Sequence, residues 1–481
     1  MKIAFVTSES VPYASTGGLG EVCGALPAAL ASLGHEVIQF MPLYRHVAEG
    51  DIPLEDAGFQ VSVPMGQVTR RADVVCAERN GIRTYFIGRD EYFDRSHLYS
   101  LPQRDYEDNF ERFVFFQKAA VEVLDFIRFN ADIVHAHDWQ SALMPLFLHF
   151  GAGGLGRSDG GRSVLTIHNL AYQGVFPASA FGITNLPRRC FTVDSLEYYG
   201  QISCLKGGAL AADMVTTVSE TYAREIQTEA MGYGLHGVLS GLGDRLVGIA
   251  NGIDYRNWNP ATDPLIAERF SADTTGEGKA ACKDALLREF DLPSDPQIPL
   301  FGMVTRLVDM KGLDLLEKAM PKLMKKKVAI VLLGSGQEKY HALCRQWAER
   351  WPGKFACRLE YNAGVAHRVY AGSDLYLMPS RVEPCGLGQI YGMRYGAVPV
   401  VHTTGGLADT VEDLSPDGST GTGVRFDRYD AASLLGAIQR AIGFYRAPGR
   451  WKRIGRRIME QDFTWTRSAR EYVDVYSSLL D

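Results

Sequence analysis

Two short stretches near opposite ends of the chain carry the same glycine turn. One reads Ser15-Thr16-Gly17-Gly18-Leu19, the other Thr403-Thr404-Gly405-Gly406-Leu407. A glycine pair between a strand and a helix exposes backbone N–H groups at the helix N-terminus, which can hold an anion without a charged side chain. The competing use of the same residues is a tight turn and nothing more. Arg306 and Lys311 in TRLVDMKG supply two cations just beyond an apolar run. Such a pair lies on a solvated face unless a motif assigns it to an anion. His135 and His137 share one strand face, as metal ligands do. They lack a carboxylate partner of recognised spacing, and no DxD motif occurs, so no metal is expected. The eight cysteines are scattered without CxxC, the usage of a reduced compartment.

These residues need elements to position them. Ile3 to Thr7 reads as a short buried strand, Glu21 to Leu33 as an amphipathic helix stopped by Gly34, and Val37 to Met41 as the next strand. Asn109 to Phe129 is a long helix leading into the strand Ile133 to Ala136, and Val164 to Ile167 and Val215 to Val218 are further buried strands. The pattern restarts after Pro260, with strands at Leu300 to Val304, Ala329 to Leu333, Leu375 to Met378 and Val398 to Val401. Asn251 to Pro264 lacks periodicity and reads as a linker. Short β-branched runs between helices mean parallel sheets covered on both faces. The fold class is therefore α/β, with two doubly wound domains, and ligands are expected beyond the carboxyl ends of their strands.

A length of 481 residues fits two domains, and 46% hydrophobic with 22% charged residues is the composition of a globular protein. A net charge of -6 without a long basic run argues against nucleic acid and anionic membrane as partners. No stretch reaches the roughly 18 apolar residues of a membrane helix, and the N-terminus lacks the apolar region of a signal peptide. The expectation is a cytoplasmic protein, or one of the plastid stroma if the source is a plant or alga.

Several ordered blocks now accumulate: HAHDWQSAL (135–143), TIHNLAYQGVF (166–176), FGITNLP (181–187), YGQISCLKGG (199–208), NGIDYRNWNPATDP (251–264), TRLVDMKGLDLL (305–316) and PSRVEPCGLGQIYGMRYGAVPVV (379–401). Nearly end to end, the chain resembles bacterial glycogen synthases and plant starch synthases, glycosyltransferase family 5. The resemblance implies the GT-B fold: two Rossmann-like domains with the active site between them. Residues 1–250 would form an acceptor-side domain to which a C-terminal helix, 466–481, crosses back. Residues 251–465 would bind the nucleotide sugar. The implied reaction moves glucose from a nucleotide diphosphate glucose, here ADP-glucose with UDP-glucose as the alternative, to the non-reducing end of an α-1,4-glucan. Configuration is retained, and neither cofactor nor metal is needed.

By resemblance, Arg306 and Lys311 clamp the diphosphate, Glu383 contacts the donor sugar, and the amides of Cys385, Gly386 and Leu387 line its pocket. Gly18 meets the same phosphates and Tyr361 stacks on the donor's base. Asp138 and His168 approach the reacting glucose, while Trp139 and Tyr172 are candidate stacking platforms for the acceptor, with core packing as the competing account. Three positions depart from the family pattern. Ser15 stands where KTGGL has Lys, Glu21 where Asp is usual, and Gly388 where many relatives carry Thr. These changes imply slower turnover or altered preference. They also keep open a non-catalytic paralogue that binds glucan or nucleotide, or a transferase making another glucoside. A glucan phosphorylase is disfavoured because its cofactor-lysine motif is missing.

Overall fold

The computed structural model describes residues 1–101, 104–151 and 161–481. Met1–Gly252 together with Trp465–Asp481 forms one compact unit, and Ile253–Thr464 forms a second.

The first unit is built on a nine-stranded sheet. Its order is Leu246–Gly248, Met214–Thr217, Arg162–Ile167, Ile133–His137, Lys2–Val6, Glu36–Pro42, Ile82–Gly88, Val68–Arg79 and Glu55–Met65. The central strands are buried apart from Lys2 and Arg162 at their starts, as a sheet covered on both faces requires. One expectation is corrected at the edge. Val68–Arg79 runs antiparallel to both its neighbours, so the sheet is mixed. Glu55–Met65 and Val68–Arg79 alternate exposed and buried residues and are joined by a tight turn at Gly66. A hairpin needs no crossover helix, so the strand–helix rhythm used to read the sequence passes over it.

The helix Gly18–Ser32 follows the first strand and starts three residues earlier than its apolar spacing suggests, because Gly18, Leu19 and Gly20 already lie in the helix, with the extended Gly17 as its N-cap. It ends at Leu33 before Gly34, whose φ of +90° suits glycine. The C-terminal helix Trp465–Leu480 buries Trp465, Ala469, Tyr472 and Tyr476 against Ile3, Val22, Leu26 and Leu30. The Ser468 hydroxyl donates to the Ala250 carbonyl (2.6 Å) where the chain re-enters this unit.

The second unit holds a six-stranded, wholly parallel sheet: Phe355–Arg358, Ala329–Leu333, Leu300–Val304, Leu375–Met378, Val398–His402 and Val424–Phe426. The segment read as a linker is structural here. Trp258 is stacked between the His367 ring (3.9 Å) and the Tyr391 ring (4.0 Å), and Asp263 accepts from the Tyr395 hydroxyl. Anchors at irregular spacing, Ile253, Tyr255, Trp258 and Asp263, leave no periodic signature, which is why the segment looked unstructured.

In both sheets the chain moves outward one way from a central strand and later returns to its other side. Lys2–Val6 lies between Glu36–Pro42 and Ile133–His137, and Leu300–Val304 lies between Ala329–Leu333 and Leu375–Met378. These are topological switch points, where the flanking loops diverge and leave a crevice beyond the carboxyl ends.

Candidate active site

In the second unit the candidate residues follow the sheet's carboxyl edge strand by strand. Tyr361 follows Phe355–Arg358, Arg306 and Lys311 follow Leu300–Val304, and Glu383 to Leu387 follow Leu375–Met378. Arg306 is exposed and makes no side-chain hydrogen bond or ion pair among the described residues. Lys311, in contrast, is paired: its Nζ donates to Glu383 Oε1 (2.8 Å) and Oε2 (2.6 Å), with Glu383 buried and Lys311 half-buried. Ser380 adds a third donor to Glu383 Oε2 (2.9 Å). Lysine and glutamate from the loops after two neighbouring strands thus form one charge-neutral unit, which lets the glutamate sit out of water. Tyr361 is 91% exposed, a free ring at the end of the edge strand.

The two glycine turns have different jobs. At the second, a Cβ on Gly405 would lie 2.0 Å from the Glu383 carbonyl, and one on Gly406 would lie 1.9 Å from that of Cys385. The Gly406 N–H is already shared between the Glu383 and Pro384 carbonyls (3.1 Å each). These glycines admit the Glu383–Cys385 loop by close approach, and the expected open anion cradle is not formed by Gly406. At the first turn, nothing lies within 4 Å of a Cβ placed on Gly17 or Gly18, and the helix Gly18–Ser32 begins without a side-chain cap. Among the described residues the Gly17 and Gly18 N–H groups make no hydrogen bond, whereas the Gly406 N–H is occupied.

In the first unit, Ser15, Gly18 and Glu21 follow the strand Lys2–Val6, Asp138 and Trp139 follow Ile133–His137, and His168 and Tyr172 follow Arg162–Ile167. Three adjacent strands therefore deliver them to one edge. Asp138 adopts φ +55°, and its Oδ1 accepts the His168 backbone N–H at 2.7 Å. Burial pushes its carboxyl up to about 7, against the pull of the His168 and Asn169 amides. Burial likewise pulls the His168 imidazole down to about 3. The His168 Nε2 lies 3.1 Å from His137 Nδ1, so two neutral rings share one proton there. His135 is fully engaged by the hydroxyls of Tyr476 (2.7 Å) and Thr166 (2.6 Å). No group of three or more His, Cys, Asp or Glu among the described residues has metal-binding geometry.

Trp139 is half-buried, packed edge-on to Phe113 (5.1 Å) and against Phe176 (5.4 Å), with Gly174 beneath it because a Cβ there would lie 2.7 Å from the indole. Tyr172 is open to solvent. The Ser15 hydroxyl donates back to the Gly17 carbonyl at 3.2 Å. Sequence reasoning missed Glu9. This buried carboxylate accepts the Thr16 N–H, the Thr16 hydroxyl (2.7 Å) and the Tyr99 hydroxyl (2.6 Å), and so pins the glycine turn. Its only signal was an acid in the loop ahead of STGGL.

Two doubly wound units, each carrying its polar and cationic residues beyond a switch point, define a glycosyltransferase of GT-B architecture. Family models for the starch synthase catalytic domain and for glycosyl transferases group 1 match residues 2–241 and 288–457. Glycogen synthase 2 of Geobacter sulfurreducens is 44% identical over all of this chain and 99% of its own. Glycogen synthase of Koribacter versatilis is 43% identical over 99% of this chain and 98% of its own. The catalytic domain of starch synthase IV from Arabidopsis thaliana, solved with ADP and acarbose, superposes with a TM-score of 0.91 at 32% identity, covering 99% of both chains. The chain belongs to the family of bacterial glycogen synthases and plant starch synthases. No helix among the described residues is long and apolar enough to cross a membrane.

Proposed function

We propose that the protein transfers glucose from ADP-glucose to the non-reducing end of an α-1,4-glucan with retention of configuration. The observation that carries this reading is the Lys311–Glu383 pair, its carboxylate buried, together with the unpaired Arg306 at the second unit's switch point. In such a transfer the bond between the glucose anomeric carbon and the diphosphate oxygen breaks, and negative charge grows on the departing ADP. The acceptor hydroxyl forms the new bond to that carbon and gives its proton to the departing phosphate oxygen. Groups that meet the growing charge more strongly than the ground state accelerate the step. Arg306 presents a planar fork of donors and Lys311 a compact charge whose partner can shift to the sugar hydroxyls. Tyr361 offers a face for the base, and base stacking is indifferent to base identity, so the choice of ADP rests on the relative solved with ADP.

The open N–H groups after Gly17 and the Asp138–His168 pair form the first unit's contribution to the same reaction. Neither cofactor nor metal takes part in this scheme, and the cytoplasm is its setting. Ser15 brings no cation, so turnover is reduced, not abolished. Glucose incorporation into glycogen from ADP-glucose and from UDP-glucose tests the proposal. ADP-glucose is expected to be the better donor. If neither donor gives incorporation, and neither is hydrolysed without acceptor, the reading of a non-catalytic paralogue takes its place.

A further inference from the structure

The sheet of the second unit opens at its switch point, and one side chain fills the opening. Leu300–Val304 and Leu375–Met378 pair only through Phe301 with Leu375 and Gly302 with Tyr376. Beyond that register the strands part, and the backbone of Val304 has no strand partner on this side. The Tyr376 hydroxyl takes its place. It accepts the Val304 N–H at 3.1 Å and donates to the Val304 carbonyl at 3.0 Å, while the Tyr370 hydroxyl lies at 3.3 Å. One donor and two acceptor positions are then all used, and the side chain is fully buried.

The same ring is the floor for the helix Gly388–Arg394. A Cβ on Gly388 would lie 2.7 Å from the Tyr376 hydroxyl and 3.0 Å from the ring, and one on Gly392 would lie 3.1 Å from Tyr376 Cβ. Two glycines one helical turn apart therefore lay the helix along the tyrosine, with Gly388 over the hydroxyl. A side chain at 388 and a hydroxyl at this point compete for the same space. Gly388 was noted above only as a missing threonine. The geometry shows what occupies the vacated volume.

We infer that Tyr376 is a positioning residue for the donor site, and that Gly388 is glycine in order to admit its hydroxyl. The wedge fixes Val304, from which Thr305 and Arg306 continue, and the helix start that carries Cys385 to Leu387. It thereby sets the spacing between the cation loop and the Glu383 loop. The inference rests on the donor-site reading proposed above.

The test is a set of variants: Tyr376→Phe, Gly388→Thr, Tyr376→Val and the double change Tyr376→Val with Gly388→Thr. Each is assayed at 25 °C for kcat, donor KM and glycogen KM, with ADP affinity by calorimetry and the thermal midpoint alongside. Tyr376→Phe is expected to raise donor KM about five-fold and lower kcat about ten-fold, with glycogen KM unchanged. Gly388→Thr and Tyr376→Val are each expected to be worse, and the double variant to recover at least ten-fold in kcat/KM over either. A Tyr376→Phe protein with donor kcat and KM within two-fold of the parent, whatever its thermal midpoint, overturns the positioning role. So does a double variant whose losses simply multiply. A parent protein that neither transfers glucose nor binds ADP removes the donor-site reading itself, and the positioning inference falls with it.

Discussion

Asp138 combines a demand for function with a penalty in stability, and the two can be separated by one substitution. Its carboxyl is buried, and its pKa is raised from 3.8 to about 7. Well below pH 3.8 the carboxyl is protonated in folded and unfolded chains alike, and it contributes nothing. As pH rises from 4 to 7 the unfolded chain ionises freely while the folded one resists, so stability falls and the loss is complete above 7. Three units at 1.36 kcal/mol each give an upper bound of about 4 kcal/mol. Asn at this position keeps an oxygen for the His168 N–H and tolerates the φ of +55°. Asp138→Asn should therefore be close to the parent in thermal midpoint at pH 4.5 and higher at pH 8.5. The gain would reach about 8 °C at ~2 °C per kcal/mol. The lowered histidines, His135, His137 and His168, act in the opposite sense, but both proteins contain them and they cancel in the difference. Transfer at pH 8.5 should fall about 10- to 100-fold, the worth of a charged hydrogen bond. A variant with the parent's pH dependence, or one less stable at pH 8.5, would refute the reasoning.

Three further outcomes follow from the geometry. Ser15→Lys should raise turnover about 10-fold or more by restoring a cation beside the open Gly17–Gly18 turn, read as kcat with ADP-glucose. Tyr361→Ala should weaken ADP binding by about 1–3 kcal/mol in calorimetry and leave the thermal midpoint alone, because the ring is exposed before the donor arrives. Lys311→Met should lower both donor affinity and stability, the latter by about 3–5 kcal/mol in urea unfolding, since Glu383 is then a buried charge without its partner.

The parallel cores were legible because buried strands carry uninterrupted apolar runs. Leu300–Val304, Ala329–Leu333 and Leu375–Met378 match their sequence spans residue for residue. What escaped was structure without that signature. The edge hairpin at Glu55–Arg79 is half-exposed and alternates only loosely, and Trp258 and Asp263 anchor their segment without a period. At the site, the motif placed Arg306, Lys311 and Glu383 at the switch point of their own sheet. That Lys311 and Glu383 bond each other depends on a tertiary distance no spacing encodes. The repeated TGGL misled for the same reason. Identical letters serve an open helix start in one unit and a backbone-to-backbone contact in the other, and only the neighbours decide. Gly388 shows the converse, a residue that looks like a loss until Tyr376 is seen above it.

The central claim is that cationic side chains at the second unit's switch point carry the charge of the departing nucleotide, and Arg306 is the one with no competing partner. The direct measurement is kcat for glucose transfer from ADP-glucose to glycogen by Arg306→Ala at saturating donor. A fall of about 10- to 100-fold with the thermal midpoint unchanged is expected, since the guanidinium is exposed and makes no hydrogen bond or ion pair among the described residues. A variant that retains the parent's kcat at saturation would contradict the account.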